Sequence, residues 1–158
     1  AIKKPLAEYL QEKIWQPVGM EQEATWLLSK TGKEISGCCI QATPRDYARF
    51  GQFILEGAKV GGEPLVLEGW LHEATHKQAD IGTPGRGYGY QWWTYDDGSF
   101  TARGIFGQGI FIDPRRQLVI VTNSDWDKAG AAGNPQSAAR EAFYQAVQQA
   151  VDAEAAGR

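Results

Sequence analysis

Cysteine is nearly absent from this chain: among 158 residues only Cys38 and Cys39 carry a thiol, and they are neighbours. A bridge between adjacent residues is too strained to staple distant segments, so no disulfide framework is expected, and the pair says little about redox compartment. Histidine is as scarce, with His72 and His76 alone. No apolar run approaches the ~18 to 20 residues of a membrane-spanning helix, so no membrane span is expected. The opening Ala1-Ile2-Lys3-Lys4-Pro5 lacks the apolar core of a signal peptide, and no initiator Met stands there. Clustered positive charge is missing too. The 16 Lys and Arg against 19 Asp and Glu give a net charge of −3, and the basic residues are scattered, which argues against nucleic acid as a partner. What remains is an ordinary globular composition at a length that supports one domain, with no internal repeat or low-complexity segment.

Three regions of pattern follow along the chain. Residues 1–85 read as mainly helical. Leu6, Tyr9, Leu10 and Ile14 recur at helical spacing from Lys4 to Gln16, and Pro17-Val18-Gly19-Met20 ends the pattern. Glu21 to Gly37 has no period and reads as a connector, with a short helical turn around Trp26-Leu27-Leu28. Thr43-Pro44-Arg45-Asp46 is a helix start, joining a Thr cap, a Pro in the first turn and an acid three residues after the cap. That helix runs through Tyr47, Phe50, Phe53, Ile54 and Leu55 to Gly57. A further helix is expected from Leu67 to about Thr75, with Trp70 and Leu71 facing the core.

Residues 86–124 read as a three-stranded antiparallel meander. Gly87 to Tyr95 is aromatic and β-prone, Asp96-Asp97-Gly98-Ser99 turns, Phe100 to Ile112 forms the second run, and Asp113 to Gln117 turns into Leu118-Val119-Ile120-Val121-Thr122. Successive residues of a strand face opposite sides, so only one of Trp92 and Trp93 belongs to the core while the other is free to line a pocket. In Gly104-Ile105-Phe106-Gly107-Gln108-Gly109 the glycines mark either a bulge or a strand whose amides face a substrate. A polar loop covers 125–135. Residues 136–151 then form a helix with Phe143, Tyr144, Val147 and Val151 on its apolar stripe, and the tail from Asp152 frays.

Two short motifs invite chemistry. His72-Glu73-Ala74-Thr75-His76 matches HExxH, where two His one helical turn apart bind zinc and the Glu acts as base. A catalytic zinc needs a third protein ligand, which only an Asp such as Asp80, Asp96 or Asp97 can supply here. The plain alternative is two solvent-facing His, and no metal is expected. Lys30-Thr31-Gly32 spells the KTG triad of penicillin-recognising enzymes, but in an irregular connector it reads as a turn.

Four stretches in order resemble the C-terminal half of the serine β-lactamase-like hydrolases, in the branch of 6-aminohexanoate-oligomer hydrolases, esterases and class C β-lactamase-like proteins. They are Pro5 to Met20, Ala42 to Gly51, Gly87 to Trp93, and Gly104 to Gln108 leading to Asp113-Pro114. The resemblance implies an α+β fold, an antiparallel sheet flanked by helices. It also implies an acyl-transfer mechanism in which a Ser is activated by a Lys three residues later and by a Tyr. No Ser-x-x-Lys occurs in this sequence, and in the family that pair and the Tyr precede the first helix seen here. The expectation is therefore a single partial domain, 1–158, inactive alone.

What the resemblance assigns to this chain is one wall of the site. The Gly-Ile-aromatic-Gly-Gln run stands in for KTG, which makes the Ile105 backbone amide the oxyanion donor and places Gly104 and Gln108 at the substrate. Gln41, Trp92 and Trp93 fall where the branch places pocket side chains. The family is often periplasmic or secreted, and the resemblance implies no cofactor. The implied partners are a small amide or ester substrate once the missing half is present, and either self-association or a companion chain. The rival readings are a non-catalytic binding module on the same fold and a zinc hydrolase through His72 and His76.

Overall fold

The computed structural model describes residues 2–130 and 134–157. Helix α1 (Leu6–Leu10) continues as a π-helical turn over Gln11–Trp15, where the apolar spacing predicts a helix. The connector is more ordered than its lack of period suggests. Strand β1 (Thr25–Trp26) pairs antiparallel with β2 (Ile40–Gln41), and no helical turn forms at Trp26-Leu27-Leu28. The reason lies across the hairpin: the Trp26 indole donates to the carbonyls of Ile35 and Cys38 at 3.0 Å, and the Leu27 amide donates to Cys39 O at the same distance. Lys30-Thr31-Gly32 lies at the tip of this hairpin, the Gly32 amide reaching Ser29 O at 2.9 Å. Cys38 and Cys39 are joined as a disulfide, with Cys39 at φ +83°. The bridge closes within one peptide unit and ties no distant segments together.

Helix α2 (Pro44–Leu55) starts as its cap residues dictate, the Asp46 amide donating to Thr43 Oγ1 at 3.1 Å. The Asp46 carboxylate then reaches outward, accepting from Thr43 Oγ1 at 2.8 Å and from the amides of Glu21 and Gln22 at 2.6 and 3.3 Å. The capping acid thus anchors the end of the first helical segment to the start of the second. A small hairpin of β3 (Lys59–Val60) and β4 (Glu63–Pro64) follows. Helix α3 (Trp70–Thr75) begins three residues later than expected, after Gly69 at φ +77°. Its inner face is Leu71, Ala74 and Thr75, which leaves Trp70 about a quarter-turn away and exposed rather than in the core.

The main sheet has six strands, five of them within the stretch 86–124 that reads as a three-stranded meander. β5 (Ala79–Asp80), β6 (Arg86–Tyr88), β7 (Trp93–Tyr95), β8 (Phe100–Arg103), β9 (Gly109–Asp113) and β10 (Leu118–Thr122) pair antiparallel in chain order. The run expected as one strand from Phe100 to Ile112 is two, because Gly104 to Gln108 form a turn and Arg103 pairs with Gly109. Along β9, Phe111 and Ile112 face opposite sides. Ile112 joins Phe53, Ile54, Trp92 and Phe100 in a core under α2, whereas Phe111 stacks on Tyr144 of α4 (Pro135–Ala156) with ring centroids 4.6 Å apart. The sheet is therefore covered by α2 on one face and by α4 on the other, an α+β arrangement. Helix α4 extends through Ala156, so the expected fraying at Asp152 is absent; Arg116 holds Asp152 with two bonds of 2.9 and 2.7 Å. Of the expected loop 125–135, residues 131–133 lie outside the described part.

Candidate functional site

The turn from Gly104 to Gln108 is fixed from inside and from outside. The Gly104 amide donates to Gln108 O at 2.9 Å, and the Phe106 amide donates to the Gln108 side-chain oxygen at 3.1 Å. The other end of that side chain donates to Ser124 O at 3.2 Å. From the loop after β10, the Trp126 amide reaches Phe106 O at 3.1 Å and the Gly130 amide reaches Ile105 O. Two glycines are required here. Gly107 sits at φ +93° with the Trp126 indole against its open side, and a side chain on Gly104 would run into Gln108.

Three amides of the turn are left over. Among the described residues the N–H groups of Ile105, Gly107 and Gln108 make no hydrogen bond, whereas Phe106 is satisfied through Gln108, and of the three only Ile105 belongs to an exposed residue. Ile105 as a residue is 63% exposed, so this corner of the turn meets solvent. A free donor on a backbone held this firmly can meet a developing negative charge without rearranging, the requirement for oxyanion stabilisation.

The other expected residues distribute unevenly around this turn. Trp92 is buried in the core under α2, edge-on to Phe100 with centroids 5.1 Å apart. Trp93 lies on the opposite face, beside Tyr88 and with the Arg103 guanidinium 5.7 Å from its ring. Gln41 is exposed, its side-chain oxygen accepting from Thr25 Oγ1. Its segment meets the end of β10 where Asn123 Nδ2 donates to Ala42 O at 3.2 Å, next to the Ser124 carbonyl that takes Gln108. Gln41 and the turn thus sit at the same end of the sheet. Gln108 is engaged within the turn itself.

The His72 and His76 rings lie side by side, tilted by 35° with centroids 3.8 Å apart, and His76 Nδ1 lies 2.7 Å from His72 O. No cluster of three or more His, Cys, Asp or Glu side chains able to hold a metal exists among the described residues.

Sequence reasoning passed over two features that shape this region. Trp126 sits in a loop of Asp, Lys, Gly, Ala and Asn, and a lone tryptophan in such a stretch is itself a signal of packing; it is buried against the turn. The second is an ion network beneath β8. Glu141 of α4 accepts from Arg103 at 2.6 Å, Arg86 at 3.1 Å and Tyr95 Oη at 2.9 Å. Burial, aided by the Glu141 charge and opposed by Arg103, pushes the Tyr95 phenol well above its ordinary value, so it remains a donor.

Comparison with known proteins agrees with this architecture. A family model described as Beta-lactamase matches residues 1–143. A 6-aminohexanoate-dimer hydrolase of Paenarthrobacter ureafaciens is 29% identical over 130 residues, 75% of this chain and 33% of that protein. A solved structure from Bacillus anthracis, provisionally named a 6-aminohexanoate-dimer hydrolase, superimposes with a TM-score of 0.81 at 30% identity, covering 94% of this chain and 39% of its own. The chain thus spans a third of the length of the curated relative.

Proposed function

The chain belongs to the Beta-lactamase family, and from that premise we propose that it forms one wall of a serine-hydrolase site acting on an amide or ester bond, with the nucleophile contributed from outside these residues. The observation that carries this reading is the unpaired Ile105 amide, which among the three unpaired amides of the turn is the one on an exposed residue, in a backbone held by Gln108, Trp126 and Gly130. In this role Ile105 N–H receives the carbonyl oxygen as it gains charge, Gly104 keeps the approach open, and Gln108 holds the turn in shape. Trp93 and Gln41 contribute pocket walls, and Trp92 packs the core beneath them. Short ω-amino-acid amides are the substrate class suggested by the names of the two hydrolase relatives.

The test supplies the other half, an N-terminal portion of a relative that carries Ser-x-x-Lys, fused or mixed with this chain, and follows acyl-enzyme formation and ester or amide turnover. Ile105→Pro removes the amide hydrogen and Ile105→Val controls for shape. Loss of one oxyanion donor is expected to lower turnover by ~10² to 10³. Turnover of the Pro variant within a few-fold of the Val variant removes Ile105 from the role. A folded assembly without any turnover favours a non-catalytic binding module.

A further inference from the structure

Among the described residues Arg140 of α4 is a buried cation without an ion pair. The residue is 8% exposed, and its Nε and Nη1 are fully enclosed with no hydrogen-bond partner among those residues. Its guanidinium carbon lies 4.9 Å from the centre of the Trp126 ring, a contact that leaves the in-plane N–H donors unused. The neighbouring carboxylate compensates only in part: Glu141 is hydrogen-bonded to Arg86 and Arg103, and its attraction for Arg140 is outweighed by burial and by the like charge of Arg103. Buried guanidinium donors left unpaired are costly, and an anion in their plane relieves the cost with two parallel bonds.

A pocket of about 280 Å³ opens beside this group, between the end of β10 and the first turns of α4. Thr122, Ser124 and Gln136 supply its polar edge, and Ala139, Phe143 and Trp126 its apolar walls. Gln136 and Ala139 belong to the start of a 22-residue helix, so the positive end of its dipole also faces this space. We propose that this pocket binds a small aliphatic carboxylate, its head group on Arg140 and its chain against Ala139, Phe143 and Trp126. The apolar walls select a carboxylate with a hydrocarbon tail over a bare inorganic anion. The site is independent of the proposed hydrolase function, although Trp126, Ser124 and Thr122 touch both: the Trp126 ring packs on Gly107 of the turn while Arg140 covers it, Ser124 O accepts from Gln108, and Thr122 Oγ1 donates to Gly107 O.

Titration of the folded chain with hexanoate, acetate, inorganic phosphate and hexylamine tests this, read by calorimetry and by the indole N–H resonance of Trp126 assigned through Trp126→Phe. Hexanoate is expected to bind with a Kd on the order of 1 mM or tighter and to shift that resonance, with acetate and phosphate at least tenfold weaker and hexylamine silent. Arg140→Met is expected to lose hexanoate binding at least tenfold. Should that variant not fold, Phe143→Asp decides, because it places a negative charge at an exposed rim position, 48% exposed, and is expected to abolish binding in a folded protein. No hexanoate binding to the unaltered chain, equal binding of phosphate and hexanoate, or undiminished binding by a folded Arg140→Met or Phe143→Asp variant overturns the proposal.

Discussion

Arg103 and Glu141 meet at 2.6 Å, and this pair ties the last helix to the strand that leads into the Gly104 turn. Both side chains are largely buried, and Tyr95 and Arg86 complete the carboxylate's partners. Glu141→Ala leaves Arg103 desolvated and unpaired, so it is expected to destabilise the chain by about 3 kcal/mol in urea unfolding. Glu141→Gln keeps an acceptor for Tyr95 and should fall between. A loss under about 1 kcal/mol for the Ala variant would mean the pair behaves as a surface bridge.

Asp46 gives the fold an acid-sensitive joint. Burial alone would raise its carboxyl, but the amides of Glu21 and Gln22 and the Thr43 hydroxyl outweigh it and hold the group below its ordinary value of 3.8. A carboxyl depressed in the folded state contributes stability that is complete above the unfolded value and drains away as pH falls through the folded one. The chain is therefore expected to lose stability below about pH 4. Asp46→Asn should be less stable at pH 7 and show a shallower acid decline than the unaltered chain. Identical pH profiles for the two in thermal melts would assign the acid sensitivity elsewhere.

The helices were legible because their signals are local. Thr43-Pro44-Arg45-Asp46 contains within four residues the atoms that start α2, and the structure uses them, with Asp46 serving a second segment as well. The sheet was legible in kind but not in count. β5 and β6 have two and three residues, too few to display alternation, and they exist because neighbouring strands complete their hydrogen bonds. The split of Phe100 to Ile112 was hidden for a related reason: Gly107 at φ +93° breaks a run whose side chains still read as strand. Around the candidate site, the glycines read as a bulge or a substrate-facing strand belong instead to a turn, and the atoms that hold it come from Trp126 and Ser124, distant partners that no spacing rule reveals. The choice between Trp92 and Trp93 likewise required knowing which face α2 covers.

Gly51 sets the distance between α2 and the sheet. A Cβ at this position would lie 2.5 Å from Val119 Cγ1 and 3.0 Å from Ile110 Cγ2. Gly51→Ala is pulled two ways, since alanine favours the helix by ~1 kcal/mol but must push Val119 aside. Gly51→Val has no such relief and is expected to cost about 1 to 3 kcal/mol through overpacking. A Val variant as stable as the unaltered chain in urea would show that α2 can ride further from the sheet than its contacts imply.

The last expectation concerns the edge of the sheet. β10 pairs with β9 on one side, and among the described residues no strand pairs with its other side. Its Leu118-Val119-Ile120-Val121 run carries no charge and no proline, the devices that usually protect an open edge. Unpaired backbone groups beside apolar side chains favour a second copy, and each 100 Å² of apolar surface covered is worth about 2.5 kcal/mol. A net charge of −3 offers modest repulsion against such pairing. We expect the isolated chain to self-associate through this edge, as a dimer in light scattering at micromolar concentration. Val121→Lys, which places a charge on the strand, is expected to return it to a monomer with unchanged helix and strand content by circular dichroism. A monodisperse monomer that binds no dye sensitive to apolar surface would mean that β10 needs no partner, and a dimer that survives Val121→Lys would place the contact on another face.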